Sequence, residues 1–285
     1  MNSPIESLIE MLSEGSEQQT NGLKRVFNRI ITNELKISFS QNNEDMYMYR
    51  IFGEEEIFWV DIGACHPLIS SVTAYYSLKG SKGINIDADE RSVNILNKIR
   101  KRDVNIHKLI GLNNKVNNFY IHTDPSRSTT KQEYLDPKKY DLSQIKKINL
   151  KAETLTDVLR NNNCPKKIDL LKIDAEGSEV DVLNSLKFSE YSAKIAIIET
   201  TLPYDMSEQY KEVIKDNKSE VINIMNRNGY VEFFFDGINT WFCKNGLKEF
   251  YSKKLAIPLN VNDKYVNFIT FEIMIKLLAE PKLPN

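Results

Sequence analysis

Five short apolar runs through the middle of the chain constrain its fold more than any other feature. They are IFWVDI (57–62), GINID (83–87), VNIHKLI (104–110), DLLKID (169–174) and KIAIIE (194–199). Each is short, rich in branched residues and suited to a buried strand. Four of the five carry an acid at or next to their carboxyl end. Segments with helical spacing lie between them. One runs from Ser71 to Lys79 and stops at Gly80; one is capped by Asp89 and carries Val93, Leu96 and Ile99; one carries Val180, Leu183 and Leu186. Strands that alternate with helices build a parallel sheet covered on both faces. A late pair, YVEFFF (230–235) and TWFC (240–243), is joined by Asp236-Gly237-Ile238-Asn239 and reads as an antiparallel hairpin. The expected fold class is therefore α/β, a mostly parallel sheet with a C-terminal antiparallel hairpin.

Residues 111–150 interrupt the alternation. FYIH (119–122) is followed by the polar stretch TDPSRSTTKQEYLDPKKYDLSQ. This reads as an insertion over the carboxyl edge of the sheet, either a lid or a substrate platform. At the N-terminus, Ser3-Pro4-Ile5-Glu6 has the pattern of a capped helix start. Ile5, Leu8, Ile9 and Leu12, and later Leu23, Val26, Phe27, Ile30 and Ile31, keep helical spacing. Three regions are expected: a helical extension over 1–37, a main domain over 38–250 and a helical tail over 251–285. The extension would pack on the main domain or on a second subunit, giving a homo-oligomer.

Composition narrows the function. With a net charge of −1 and a pI near 6.4, the chain lacks the basic excess of a nucleic-acid binder. The basic tract Lys98–Arg102 falls at the end of a helix, where cations are favoured anyway. Cys65, Cys164 and Cys243 are far apart, without zinc-type spacing, and fit a reducing cytoplasm. The acidic start MNSPIESLIEML is no signal peptide, and no run of 18 apolar residues suggests a membrane span.

Parallel sheets bind ligands at the carboxyl ends of their strands. Asp61 ends the first run, Gly63 opens the turn that follows, and Asp87 ends the second run. A carboxylate at Asp87 can accept both hydroxyls of a ribose, and a glycine at 63 lets a ligand approach the backbone. Ala64 and Ala88 stand beside them, and Ile110 ends the third run. A dinucleotide site wants three glycines and an NTP loop wants GxxxxGK[ST]; the turn G-A-C-H-P offers one glycine. S-Adenosylmethionine carries no phosphate and fits this set better than a nicotinamide cofactor. The plain alternative is that both acids merely cap strand ends.

The same residues resemble the FkbM-type methyltransferases. SFSQNNED (38–45) is similar to that family's Ser-Gln-x-x-Glu-Asp segment, and FWVDIGACHP (58–67) to the cofactor loop of its DIGANHP subgroup. GINIDAD (83–89) resembles its GINIEP segment, and IDLLKIDAEGSEVDVL (168–183) its KIDVEGxExxVL block. The similarity spans roughly residues 38–243. Cys65 stands where Asn is usual, and Asp87-Ala88-Asp89 replaces Glu-Pro-Asn. The resemblance implies a seven-stranded class I Rossmann-like methyltransferase fold and S-adenosylmethionine as donor. It also implies an acceptor hydroxyl on a sugar or natural product, and cofactor-side contacts from Gln41 and Asp45.

Methyl transfer to an alcohol needs in-line positioning and a destination for the hydroxyl proton. Asp174, at the end of the fourth run, is placed to meet the donor, the acceptor or both. Glu176 and Glu179 follow, and would share one face of a helix starting near Glu176. Glu199 ends the fifth run. Asp174 and Glu176 could instead hold Mg²⁺, which would acidify the acceptor. His66, just past the cofactor turn, is the other candidate base. His107 and His122 lie in strand-like runs and read as packing or surface residues; Trp241 and Phe233–Phe235 read as core. The functional expectation is an O-methyltransferase acting on a sugar of a surface polysaccharide or its nucleotide-activated precursor. The rivals are methylation of another small molecule and a fold that binds without catalysing.

Overall fold

The computed structural model describes residues 34–112, 116–201 and 217–270, with isolated positions 25, 29, 30, 32 and 272. The expected N-terminal helices, and the oligomer contact assigned to them, lie outside the described residues.

The central sheet has seven strands. They include β2 (Phe58–Ile62), β3 (Lys82–Asp87), β4 (Val104–His107), β8 (Lys167–Ile173) and β9 (Ser192–Glu199). The last two are β10 (Tyr230–Phe235) and β11 (Asn239–Lys244). Their order is β10-β11-β9-β8-β2-β3-β4, and β11 alone runs opposite to the other six. The order reverses between β2 and β8, where the carboxyl ends of Asp61 and Lys172 lie in register. An open parallel sheet opens its ligand crevice at such a point.

Alternate residues of each strand serve the two faces. Val60, Ile62, Leu171, Ile173, Ala196 and Ile198 face one core. They meet α4 (Leu155–Asn161), α5 (Glu179–Asn184) and α6 (Lys218–Arg227) through Leu155, Val182 and Ile224. Trp59, Leu170, Ile195, Ile197 and Trp241 face the other. They meet α1 (Glu44–Phe52), α2 (Ala74–Leu78) and α7 (Lys248–Leu255) through Met48, Tyr76 and Leu255. This is why the strands read as nearly continuous apolar runs.

Three expectations need correction. VNIHKLI is two strands: pairing with β3 ends at Asp87 and His107, with a last bond from Lys108 N to the Asp87 carbonyl (3.0 Å). The chain then crosses as β5 (Leu109–Ile110) to a separate sheet with β7 (Lys146–Glu153) and β6 (Val116–Ile121). The expected 111–150 insertion stands in its described part, where residues 116–150 form a hairpin arm, β6 antiparallel to β7, with three short 3₁₀ turns between them. The tail after 250 is not wholly helical: β12 (Tyr265–Asn267) pairs in parallel with β1 (Lys36–Ser38). Phe233 and Trp241 are core, but Phe235 is exposed. α3 (Glu90–Ile99) starts as expected at Asp89, whose carboxylate accepts from Arg91 N.

Candidate active site at the carboxyl edge of the sheet

β2 and β8 end side by side, and their turns are packed backbone on backbone. Gly63 has φ +76°, and both its amide and that of Ala64 donate to the Ile86 carbonyl. A Cβ at Gly63 would stand 1.7 Å from the Asp174 carbonyl oxygen, so no side chain fits here. Asp174 N in turn donates to Ile62 O (3.0 Å). Asp87 fixes the next residues: its carboxylate accepts from Cys65 N (2.8 Å) and Asp89 N (2.7 Å). Burial raises the Asp87 carboxyl to about 6, against those two amides, which lower it.

These turns enclose a cavity of about 510 Å³, large enough for a nucleoside-sized ligand. Gln41, Gly63, Ala64, His66, Asp87, Ala88, Ile110, Asp174, Glu176 and Glu199 all line it. Two expected cofactor contacts do not. Asp45 is buried and accepts from Ser38 Oγ (2.6 Å), Phe39 N (2.6 Å) and Ser40 Oγ (2.8 Å). It fastens the segment that brings Gln41 to the wall. Asp61 is also buried behind the wall, accepting from Thr73 Oγ1 (3.2 Å) and lying 3.8 Å from Lys172 Nζ. A strand-end acid alternates sides with its neighbours, and this one points away from the opening.

The acidic cluster differs from a single helix face. Glu176 has φ +47° and sits in a left-handed turn; the helix begins three residues later, at Glu179. Glu176 therefore faces the cavity, whereas Glu179 turns under the loop and accepts from Ala175 N, Gly177 N and Asn217 Nδ2. Asp174, Glu176 and Glu199 each bring one carboxylate oxygen within 4.8 Å of the others. Burial, and then the charge of Asp174, pushes the Glu176 and Glu199 carboxyls well above the ordinary range.

Lys172 is the residue that the sequence reading missed. Its ammonium donates to Asp174 Oδ2 (3.0 Å) and lies 3.4 Å from the Gly63 carbonyl, at the cavity floor. Burial lowers its pKa, but Asp174 and Asp61 outweigh burial and the net shift is upward. The available signal was a lysine inside the apolar run LLKID. The arm was also underread. Phe119, Asp124, Ser126, Arg127, Ser128 and Thr130 line the cavity. Ser128 Oγ donates to Asp89 (3.0 Å), Thr129 Oγ1 to the Glu176 carbonyl (2.7 Å), and Thr130 Oγ1 meets Ser178 Oγ at 2.6 Å. The Tyr134 ring covers Gly177 so closely that a Cβ there would stand 2.7 Å from it.

His107 Nε2 meets the Ala88 carbonyl at 3.0 Å, and His122 Nδ1 accepts from Asp124 N; neither lines the cavity.

A seven-stranded sheet of this order, with its crevice at the β2/β8 reversal, is that of the Rossmann-like S-adenosylmethionine-dependent methyltransferases. Residues 61–232, more than half of the chain, match the Methyltransferase FkbM domain. The protein belongs to the FkbM methyltransferase family. Among solved structures it is similar to methyltransferase FkbM from Methylobacillus flagellatus, at 13% identity and TM-score 0.41, over 82% of this chain and 57% of that one. It is also similar to an O-methyltransferase from Bacillus cereus in complex with SAH (10%, TM-score 0.38, 84% and 97% covered). A TehB-like SAM-dependent methyltransferase from Corynebacterium glutamicum gives 10%, TM-score 0.37, and 81% and 100% coverage. No curated protein matches the sequence. No helix among the described residues is long and apolar enough to cross a membrane.

Proposed function

We propose that this methyltransferase moves the methyl group of S-adenosylmethionine to a hydroxyl of a sugar, in a surface polysaccharide or its nucleotide-activated precursor, in the cytoplasm. The observation that carries the reading is the carboxylate trio Asp174, Glu176 and Glu199, which faces the same cavity as Asp87 and Gly63. Carboxylates grip polyols through their hydroxyls, and one of them can take the proton that the attacking oxygen loses.

The residues present fit the donor. Asp87 is half-buried at the end of β3 with its carboxylate anchored by two amides, which suits it to a ribose diol. Ala64, Ala88 and Ile110 supply the apolar wall, and Gln41 a polar tip. When bound, S-adenosylmethionine supplies a methyl group already activated by a sulfonium. The chain then has to hold the acceptor oxygen in line, exclude water and receive a proton. The arm residues 124–130 serve as the lid in this reading.

A divalent cation belongs to the same reading. Oxygens around one Mg²⁺ lie within about 4.2 Å of each other and around Ca²⁺ within about 5 Å. Asp174, Glu176 and Glu199 approach that range at 4.8 Å. Labelled methyl transfer from the donor, offered to nucleotide-sugars, glycans, amines and tRNA with and without EDTA, tests the whole. Label in sugar supports it. Label in an amine or in tRNA, and none in sugar, refutes it. Loss of transfer in EDTA, restored by Mg²⁺, assigns the cation.

A further inference from the structure

His66 lines the cavity, and its ring is already committed on one side. Its Nδ1 lies 3.1 Å from Leu68 N and 2.9 Å from Ile69 N, both of which donate to it. An imidazole nitrogen that accepts from two amides must carry its lone pair, so it has no proton. In the neutral ring the proton is then on Nε2, and the hydrogen bond at one nitrogen sets the tautomer at the other. Burial lowers the ring's pKa and favours the neutral form. The side chain thus caps its own turn at residues 66–69, much as an Asn or Asp side chain does two or three residues on. Only Nε2 is left to face a ligand, and it is a donor. A general base needs the opposite, a lone pair turned to the hydroxyl.

The geometry points to His66 as a fixed hydrogen-bond donor rather than the base: its Nε2–H meets a ligand oxygen, and the acceptor's proton goes to the carboxylates at the ends of β8 and β9. The kinetic part rests on the methyl-transfer reading; the tautomer does not. In the step, the acceptor oxygen forms its bond to the methyl carbon as the carbon–sulfur bond breaks. The electron pair of that bond stays on sulfur, and the hydroxyl proton passes to Asp174, Glu176 or Glu199. The oxygen met by Nε2–H belongs either to the carboxylate at the donor's amino-acid end, beside the Gly63 turn, or to the acceptor.

The test uses the full chain. Imidazole ¹⁵N NMR at pH 8, with the His66 signals identified by their loss in His66→Asn, reads the tautomer directly. The expected result is a protonated Nε2 and a bare Nδ1. His66→Asn keeps an oxygen to accept from Leu68 and Ile69 but has nothing at Nε2, so its melting temperature should hold. Its affinity for S-adenosylhomocysteine, or its acceptor KM, should weaken by about ten-fold, the size of one hydrogen bond. Weaker S-adenosylhomocysteine binding assigns the donor's carboxylate; intact binding with a raised KM assigns the acceptor. His66→Gln, whose amide nitrogen reaches the Nε2 position, should recover much of the loss. A proton on Nδ1 would overturn the assignment. So would an acid limb of kcat that tracks the imidazole and vanishes in His66→Asn, or a variant unchanged in both affinities. A chain that binds no S-adenosylhomocysteine would refute the methyl-transfer reading, and the tautomer would still decide the role of His66.

Discussion

Gly63→Ala isolates the physical demand at the heart of the cavity. An added Cβ would stand 1.7 Å from the Asp174 carbonyl oxygen and 2.8 Å from its carbon. Ordinary contact is about 3.4 Å or more, so the turns after β2 and β8 must part by roughly 1.7 Å. Both turns are held by backbone: Gly63 N to Ile86 O at 2.9 Å and Asp174 N to Ile62 O at 3.0 Å. Neither neighbour can rotate away as a side chain would. The left-handed φ of +76° adds its own cost, roughly 1–2 kcal/mol for a residue with a Cβ. Losing one or both backbone bonds adds roughly 0.5–1.5 kcal/mol each. The sum is about 2–5 kcal/mol, a large part of a typical stability of roughly 5–15 kcal/mol. A chain of this size should then melt roughly 3–8 °C lower. Gly229→Ala is the control, since its φ is +78° and its Cβ would meet nothing within 4 Å. Scanning calorimetry and titration with S-adenosylhomocysteine read the result: Gly63→Ala should lose both stability and donor affinity, Gly229→Ala only about the φ cost. Equal melting temperatures for the two variants, with donor binding intact in Gly63→Ala, would refute the steric argument.

Four other outcomes are expected. Asp87→Ala should weaken S-adenosylhomocysteine binding by about 10- to 100-fold, through one or two hydrogen bonds to a charged group, and calorimetry of the folded variant checks it. Burial, and then Asp236, raises the Glu44 carboxyl to about 7. A raised acid gives stability that is present below its unfolded value and lost as pH rises through its folded one, so melting temperature should fall from pH 5 to 8 and Glu44→Gln should flatten that slope. Lys172→Met leaves the buried Asp61 without the ammonium 3.8 Å away, with Arg100 as the only charge left to offset burial, while Asp174 keeps 34% exposure. It should cost roughly 3 kcal/mol near neutral pH and less as the pH is lowered, because burial already raises the Asp61 carboxyl, as urea titrations at pH 7 and pH 5 would show. Cys65 has φ +47°, which Asn tolerates better, so Cys65→Asn should raise stability by up to about 1 kcal/mol by the same assay.

Much of the site was legible because short spacings carry it. Gly63, Asp87, Asp174 and Glu199 each end or directly follow a strand that its own apolar run declares, and a parallel sheet delivers every such end to one edge. Asp45 and Asp61 stand at equally conspicuous places, yet they turn inward, to Ser38 and Ser40 in one case and to Thr73 and Lys172 in the other. No local pattern separates an acid that faces a ligand from one that ties the wall together. Glu176 and Glu179 read as one helical face only until the left-handed turn at Glu176 delays the helix.

The sequence by itself determined the parallel sheet, the terminal hairpin and the line of strand ends that became the cavity rim. Those follow from side-chain volume and period, which act between near neighbours. Tertiary structure alone decided which acids face the opening, that Lys172 would lie under Asp174, and that β7 would pair with β5 and β6 to make an arm. It also decided that His66 would spend one nitrogen on its own turn. Each of these depends on a polar group finding its partner, in most cases far along the chain, and burial makes an unmet partner too costly to leave.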